Sequence, residues 1–355
     1  MYSQITVGQS VCSPLAYEGF QYLDTVAVNN QSGGGGWGTP WVTQNANETI
    51  PGYSTLPGDQ MTFSSLQTSG GILEGATGYL AVGRGLDTDN DGPFAQYVNQ
   101  DMIGTPGDTV FFSFLLRKDQ DNERVVWAGV HDNSNPWYSP GQQVNGGYFG
   151  AVSDSGGQRY WSFQLNDTVY RTNTPIVIGQ PAFFVMEIRF GANDSNTVRF
   201  HLNPDSLGFR QAVPDLSVEV NEPQGFRSFK FVGGDFANSS ALDEIRFSTQ
   251  YGCVAPDSTV LFNNPPVALF TQTETEGTAP LAVTLDASGS FDDGSIVSYE
   301  WILGDGHRDT GVTVSHNYSA LGILPISLTV TDNHGSNNSY FSQIILSAFI
   351  WQITR

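Results

Sequence analysis

Apolar and polar residues alternate along many short segments of the chain. Val198, Phe200 and Leu202 share one face of a segment whose polar residues share the other, and the same period of two recurs in segments 160–166 and 226–231. A period of two predicts a strand with one face in the core and one face toward water. These segments therefore predict half-buried strands.

Segment 111–116 is apolar on both faces and predicts a central strand that is covered on both sides. No window shows the 3.6-residue apolar stripe of an amphipathic helix. Gly- and Pro-rich turns separate one strand from the next. The pattern therefore predicts an all-β, two-sheet jelly-roll sandwich over residues 1–256.

A short polar connection that contains proline, residues 257–263, interrupts this pattern. A second set of about seven strands follows over residues 264–348, and alternation is clearest from Leu324 to Val330. This part predicts a small immunoglobulin-like sandwich. Residues 349–355 form an apolar C-terminal tail.

The composition fits many short strands joined by tight turns. The 355 residues include 40 Gly and 18 Pro, 12 % are aromatic and only 14 % are charged. The formal charge of −21 argues against a nucleic-acid partner, because phosphate binding needs clustered Lys and Arg and the chain has only 14 of them. The acidic residues favour cations as ligands, or are simply solvated.

Two cysteines, Cys12 and Cys253, flank the first predicted domain. A sandwich brings its terminal strands together, so we expect a disulfide between them, with two buried free thiols as the alternative. No run of 18 apolar residues exists, and the first residues lack the features of a signal peptide. We therefore expect no transmembrane segment. The expected disulfide favours a secreted or cell-surface protein, and if the protein is secreted its signal peptide has been removed.

Four segments follow one another in a characteristic order: DASGSFDDG, SYEWILGDG, VSHNY and ISLTVTD. Across residues 264–348 this order closely resembles a PKD domain. Trp301 is then expected in the core, Gly304 and Gly306 at positive φ, and the Tyr318 hydroxyl on a strand crossover. The resemblance implies a spacer or a protein- or glycan-contacting module of an extracellular protein, without catalytic residues.

The first domain resembles, more loosely, the concanavalin A-like, laminin-G-type jelly rolls of secreted bacterial proteins. This resemblance is carried by the segments YEGFQY, GGGGWGTPW, FFSFLLR, FVMEIRFGANDSNTVRFHLNP and LDEIRFSTQYGCVAP. These motifs are mostly structural, so the resemblance implies a fold and leaves the function open.

Enzyme chemistry finds little support in the sequence. A retaining glycosidase needs two carboxylates on one strand face, and no such string occurs. Glu187 and Glu244 each have an arginine nearby, Arg189 and Arg246, which predicts ion pairs on the sheet faces. No Gly-x-Ser-x-Gly motif occurs, and the five His residues show no metal-ligand spacing. A hydrolase is therefore the minority interpretation.

Calcium is the predicted metal. Segment DTDNDG places Asp87, Asp89 and Asp91 at alternate positions, as loops that bind calcium do, and a plain Asp/Asn turn is the alternative. A second ion is conceivable at the turns that contain the four aspartates Asp286, Asp292, Asp293 and Asp305.

Loop aromatics are the predicted glycan-binding residues. Trp137 and Tyr138 lie in a polar, Gly/Pro-rich stretch, and Trp37 and Trp41 are bracketed by glycines. Trp127 and Trp161, by contrast, lie on predicted strands and are expected in the core.

Three functional classes remain open. The favoured one is a calcium-stabilised, non-catalytic binding or adhesion protein whose partner is a polysaccharide or glycoconjugate. The alternative is a structural subunit of a surface filament, with copies of itself or another surface protein as partners, because the end SAFIWQITR is apolar. The third is a polysaccharide-degrading hydrolase or a lyase accessory protein.

Overall fold

A computed structural model of the chain describes residues 11–20, 34–43, 53–56, 61–66, 68, 71–75, 81–90, 92–120, 126–132, 147–153, 157–165, 168–205, 207–208, 210, 213–221, 225–232, 240–257, 261–263, 265–292 and 294–348.

The chain divides into two compact units. The first comprises Met1–Gln31 and Gly36–Phe262, and the second comprises Ser32–Gly35 and Asn263–Arg355. The strands of the first unit are β1 (Val11–Cys12), β2 (Ala16–Glu18), β3 (Val42–Thr43), β4 (Tyr53–Leu56), β5 (Ile72–Gly75), β6 (Ala81–Gly85), β7 (Val98–Asn99), β8 (Met102–Ile103), β9 (Thr109–Lys118), β10 (Trp127–His131), β11 (Gly147–Ser153), β12 (Arg159–Leu165), β13 (Thr168–Pro175), β14 (Pro181–Arg189), β15 (Ser195–Leu202), β16 (Leu216–Asn221), β17 (Ser228–Val232), β18 (Ser240–Ser248) and β19 (Leu261–Phe262). One short helix, α1 (Tyr251–Val254), and the 3₁₀ turns Ala95–Tyr97 and Ala192–Asp194 complete its described elements.

Two large antiparallel sheets build the first unit, which confirms the predicted all-β sandwich. The seven-stranded sheet has the order β13-β12-β11-β10-β17-β6-β3, and the other sheet has the order β16-β15-β14-β9-β18-β5-β4 with β2 added on β18. Their inner faces meet in an aromatic core, in which the Phe114 ring centroid lies 5.4 Å from that of Phe149 and 5.6 Å from that of Phe229. The seven-stranded sheet is thereby left with a second, outer face.

The alternating segments fold as predicted on their inner faces. Val198, Phe200 and Leu202 are buried, and β9 is buried on both faces. The outer face of β15 departs from the prediction, because His201 is also buried. The ring of Tyr251 in α1 lies 6.1 Å from the ring of His201, so α1 covers part of this sheet that the alternation alone assigns to water.

A disulfide joins Cys12 in β1 to Cys253 in α1, as predicted, and the two Cα atoms are 5.3 Å apart. The same ends of the first unit are also held by β1 and β19, which pair in parallel. The sandwich is thus closed both covalently and by strand pairing.

The second unit is a small sandwich of two sheets. Its strands are β20 (Thr271–Gln272), β21 (Glu276–Thr278), β22 (Leu281–Asp286), β23 (Ile296–Ile302), β24 (Arg308–Thr310), β25 (Thr313–Tyr318), β26 (Gly322–Asp332) and β27 (Asn337–Ser347). They form a three-stranded sheet, β20-β22-β25, and a five-stranded sheet, β21-β27-β26-β23-β24.

Residues of the second unit that carry the predicted motifs lie where the sequence places them. Trp301 is buried and its indole N–H donates to the Gly311 carbonyl oxygen at 2.9 Å. Gly304 and Gly306 have φ values of 79° and 95°, which only glycine adopts without strain. Tyr318 is buried as well, but its hydroxyl has no hydrogen-bond partner among the described residues. The prediction that the Tyr318 hydroxyl forms a hydrogen bond at a strand crossover is therefore wrong among the described residues.

Candidate functional site

The outer face of the seven-stranded sheet is the candidate site. Val82, Ala128 and Phe229 point into the core, so strand alternation places the residues between them on the opposite face. The outer face therefore receives these described side chains and glycines: Val42, Gly83, Gly85, Trp127, Gly129, His131, Gly150, Tyr160, Ser162, Gln164, Val169, Arg171, Ser228, Lys230 and Val232. We call this set the outer face.

Charge divides sharply between the two large sheets. None of the seven strands of the seven-stranded sheet contains Asp or Glu, although the chain has 35 of them. The other large sheet, with β2, contains six, namely Glu18, Glu74, Glu187, Glu219, Asp243 and Glu244. Lys230 and Arg171 lie on the outer face, so it is locally basic in a protein of formal charge −21.

His131 and Lys230 form the buried centre of the outer face. The His131 Nδ1 atom lies 3.2 Å from a carboxylate oxygen of Asp132. Burial, and secondarily the charge of Lys230, lowers the pKa of His131 to about 4, and burial lowers the pKa of Lys230 to about 8. His131 is therefore a neutral imidazole at neutral pH, held beside an amine that gives up its proton unusually easily.

The accessible part of the outer face lies on β12 and β13. Arg171 is exposed, and its guanidinium carbon lies 4.5 Å from the centre of the half-buried Tyr160 ring. Gln164 is half-buried beside them. This arrangement presents a planar cation that rests on an aromatic ring, with a side-chain amide close by.

Trp127 is also on the outer face, which corrects its predicted place in the core. It is half-buried, and a Cβ added to Gly150 on the neighbouring strand would lie 3.3 Å from the indole atom Cε3. Trp127 thus rests on a glycine and is partly exposed. Trp161, whose core position was predicted, is buried.

Trp41 is excluded as a ligand platform by its burial, whereas Trp37 stays a prediction. Trp41 is fully buried and donates its indole N–H to Glu18 at 3.0 Å, so its prediction as a glycan-binding residue is wrong. Trp37 is partly buried, donates to the Tyr17 carbonyl oxygen at 2.9 Å and carries the Arg84 guanidinium over its ring. The glycine-rich setting of both residues reflects tight packing. Trp137 and Tyr138 lie outside the described residues and stay predictions.

The predicted calcium loop is only partly described, because Asp91 lies outside the described residues. The Asp89 backbone N–H donates to Asp87 Oδ1 at 3.3 Å, and the Gly92 N–H donates to the Asp89 carbonyl oxygen at 2.9 Å. A Cβ on Gly92 would overlap the Asp87 carboxylate, so glycine is needed there. The described part has the geometry of a tight Asp turn, and calcium stays a prediction.

Four of the six acidic residues of the other large sheet, Glu18, Glu74, Glu187 and Glu244, form ion pairs, as predicted for Glu187 and Glu244. Glu187 is buried and contacts Arg189 and Arg199 at 3.1 Å each, and Glu244 pairs with Arg246. Asp243 is fully buried, and this burial raises its pKa. These contacts hold the side chains of Glu187 and Glu244 against the sheet.

Sequence reasoning missed one group of residues in the second unit. Asp305, His307 and His316 place a carboxylate oxygen and two imidazole nitrogens within 4.8 Å of one another. The Asp-x-His spacing was a visible signal, but His316 reaches the group from a different strand. The sequence interpretation that no histidines lie at metal-ligand spacing was therefore wrong for His307 and His316.

A family model described as PKD domain matches residues 263–345. Residues 263–345 form a PKD domain. The pre-pro-metalloprotease PrtV of Vibrio cholerae serotype O1 is similar here, at 34 % identity over 91 residues, which is 26 % of this chain and 10 % of the relative. The matched region thus spans about a tenth of that relative's length.

Solved structures are similar to both units. The PKD1 domain of Vibrio anguillarum Epp is 34 % identical and matches over 24 % of this chain and 99 % of that one, with a TM-score of 0.21. The endo-β-1,4-glucuronan lyase of Trichoderma reesei is 11 % identical over 68 % of this chain and 98 % of that one, with a TM-score of 0.37. Among the described residues, no helix is long and apolar enough to cross a membrane.

Proposed function

We propose that the protein is an extracellular binding protein that holds an acidic polysaccharide on the outer face of the seven-stranded sheet. The observation that carries this proposal is the complete absence of Asp and Glu from seven adjacent strands of a strongly acidic chain. The negative charge of the rest of the protein repels a polyanion, so we expect the polyanion to bind at the basic outer face.

The side chains of the outer face suit a carboxylated sugar. The planar guanidinium of the exposed Arg171 matches a carboxylate with two parallel hydrogen bonds, and the buried Lys230 contributes positive potential without direct contact. Trp127 and Tyr160 supply aromatic surface beside the polar groups, which is the usual composition of a glycan site.

The extracellular assignment is supported by the disulfide, because such bonds persist in oxidising compartments. The PKD domain fits the same setting, where it acts as a spacer or a second contact module. Calcium at the Asp87–Asp91 loop is part of the proposal as a stabilising ion. The ion would order the loop and add no chemistry to the outer face.

The test is a binding panel of linear polyuronates and neutral glucans, with Arg171→Gln as the variant. A charge-assisted hydrogen bond contributes about 1.5–3 kcal/mol, so the variant should weaken polyuronate binding by about 10-fold or more. Arg308→Gln removes one exposed charge from the PKD domain and is the matched control. Equal binding of neutral glucans, or equal losses in both variants, would overturn the proposal.

A second candidate function is cleavage of the bound chain by elimination. It is favoured by the neutral imidazole of His131, whose Nδ1 faces Asp132, beside the low-pKa amine of Lys230. In this reaction a base removes the proton on the carbon next to the carboxylate. The bond to the leaving sugar oxygen then breaks as the carbon–carbon double bond forms, and that oxygen takes up a proton.

An ultraviolet assay for the new double bond separates the two functions. Activity on a polyuronate that is lost in His131→Ala supports cleavage. Binding without any rise in absorbance in the wild type leaves a binding protein and eliminates this second function.

A further inference from the structure

Asp305, His307 and His316 form a compact group at one turn of the PKD domain. Asp305 Oδ1 lies 3.1 Å from His307 Nδ1, and Asp305 Oδ2 lies 2.7 Å from His316 Nε2. The side chains of Asp305 and His316 are 8 % and 16 % exposed, whereas that of His307 is 68 % exposed. The group is therefore anchored on one side and open to solvent on the other.

The fold brings these residues together from both sheets of the domain. Asp305 lies in the turn between β23 and β24, which the hydrogen bond from the Leu303 N–H to the His307 carbonyl oxygen closes at 3.0 Å. The Asp305 carboxylate also accepts the His307 backbone N–H at 3.2 Å. His316 lies on β25 of the three-stranded sheet. The turn thus holds the carboxylate between two imidazoles.

The donor atoms, which are joined by hydrogen bonds between Asp305 and each imidazole, lie close enough for one metal ion to reach after side-chain rotation. Ligands at about 2.0–2.1 Å from a zinc ion lie roughly 3 Å apart at right angles and roughly 3.4 Å apart at tetrahedral angles. The two Asp–His distances, 2.7 and 3.1 Å, are close to these edges, and all three donors lie within 4.8 Å. Because His307 is exposed, its ring can rotate to close the remaining gap.

Tyr318 packs against His316 and helps to orient its imidazole ring. Its fully buried ring meets the His316 ring edge-on, with centroids 4.6 Å apart. The Tyr318 ring therefore packs against the His316 ring and helps to hold a nitrogen of that ring toward Asp305.

We propose that Asp305, His307 and His316 bind a divalent transition-metal ion, with Zn²⁺ as the preferred ion. Two imidazole nitrogens and one carboxylate oxygen suit zinc, nickel or copper, whereas calcium selects oxygen donors alone. The site leaves at least one coordination position for water or a ligand group. Asp305 and His316 belong to the Gly-Asp-Gly and His-x-Tyr segments of the PKD pattern, and His307 lies outside both, so the site is a property of this chain.

The experiment is calorimetric titration of the full chain, free of any affinity tag, with Zn²⁺ in excess Ca²⁺. The calcium saturates exposed carboxylates and leaves a nitrogen-containing site available. We expect one zinc per chain, and Co²⁺ at the same site should give the visible absorption of a nitrogen- and oxygen-ligated ion. Replacing His307 by alanine should weaken zinc binding at least about tenfold, because even outer contacts of a metal site are worth 10–100-fold.

His334→Gln is the matched control, because it removes another imidazole of the same domain outside the group. It should leave zinc binding unchanged, and the melting transition of the PKD domain should be retained in His307→Ala, whose side chain is exposed. His316→Ala should weaken binding as well. Absence of a stoichiometric zinc site, or equal losses in His307→Ala and His334→Gln, would overturn the proposal.

Discussion

Removal of the Cys12–Cys253 disulfide should destabilise the first unit strongly and leave the PKD domain unaffected. The bond closes a loop with a sequence separation of 241 residues. In the chain-entropy model a loop of this length contributes about 5 kcal/mol at 25 °C, because the crosslink restricts the unfolded chain. For a unit of this size, 1 kcal/mol corresponds to about 2–4 °C in Tm, so the predicted decrease is roughly 10–20 °C.

Pairing of β1 with β19 sets the lower limit of this effect. Val11 and Cys12 pair with Leu261 and Phe262, so the same ends stay close when the sulfurs are removed. If β1 and β19 still pair in the unfolded ensemble, the disulfide restricts that ensemble less and its entropic contribution to stability is smaller. A decrease in Tm near the lower end of the predicted range would indicate such residual pairing.

Scanning calorimetry of the double variant Cys12→Ala/Cys253→Ala is the assay, and the PKD transition is the internal standard. If the variant fails to fold, reduction of the folded wild type under mild conditions gives the same comparison. A decrease of less than about 3 °C in the first-unit transition, which is about 1 kcal/mol, would refute the entropic reasoning. Equal decreases in both transitions would refute the independence of the two units.

Four further predictions follow from single features. Burial lowers the folded-state pKa of His131 from 6.5 to about 4, so the unfolded chain binds a proton that the folded chain excludes between these values. Stability on the order of 3 kcal/mol is lost as the pH falls through this window. Urea unfolding at a series of pH values should show that the free energy of unfolding depends less on pH in His131→Gln than in the wild type. Equal pH dependence in both proteins contradicts the lowered pKa of His131. Calcium at 100 times its Kd should stabilise the first unit by about 2.7 kcal/mol. A chelator and the variant Asp87→Asn should each abolish this stabilisation. A melting curve that a chelator does not change argues against bound calcium. Trp137→Ala should weaken glycan retention with no change in Tm, and unaltered retention removes Trp137 as a platform. Deleting residues 348–355 should release monomers in size-exclusion chromatography if the protein is an assembly subunit, and an identical elution volume speaks against that alternative.

Much of the fold could be predicted because burial follows strand alternation. Phe229, Trp161 and Val198 are buried on the faces to which the period of two assigns them. His201 was assigned to solvent because no sequence pattern indicates α1. This helix is only four residues long and covers the side of β15 that faces away from the core. A helix this short has no periodicity for a sequence pattern to detect.

The candidate site was harder to predict because it depends on strand order. Trp127, Lys230 and Arg171 are far apart in the sequence and share a face only because β13, β12, β11, β10 and β17 are neighbours. The absence of acidic residues becomes visible only when these strands are grouped. Trp41 was misassigned for a related reason, since glycine-rich flanks accompany tight packing as well as exposed loops.

The central claim is that Arg171 on the outer face recognises the carboxylates of an acidic glycan. The most direct test is a four-way cycle of dissociation constants, for wild type and Arg171→Gln against a polyuronate and its carboxyl-reduced counterpart. We predict a coupling free energy of about 1 kcal/mol or more between the guanidinium and the carboxylates, which is typical of groups in direct contact. A coupling of zero, with both proteins losing the same affinity when the carboxylates are reduced, would contradict the claim.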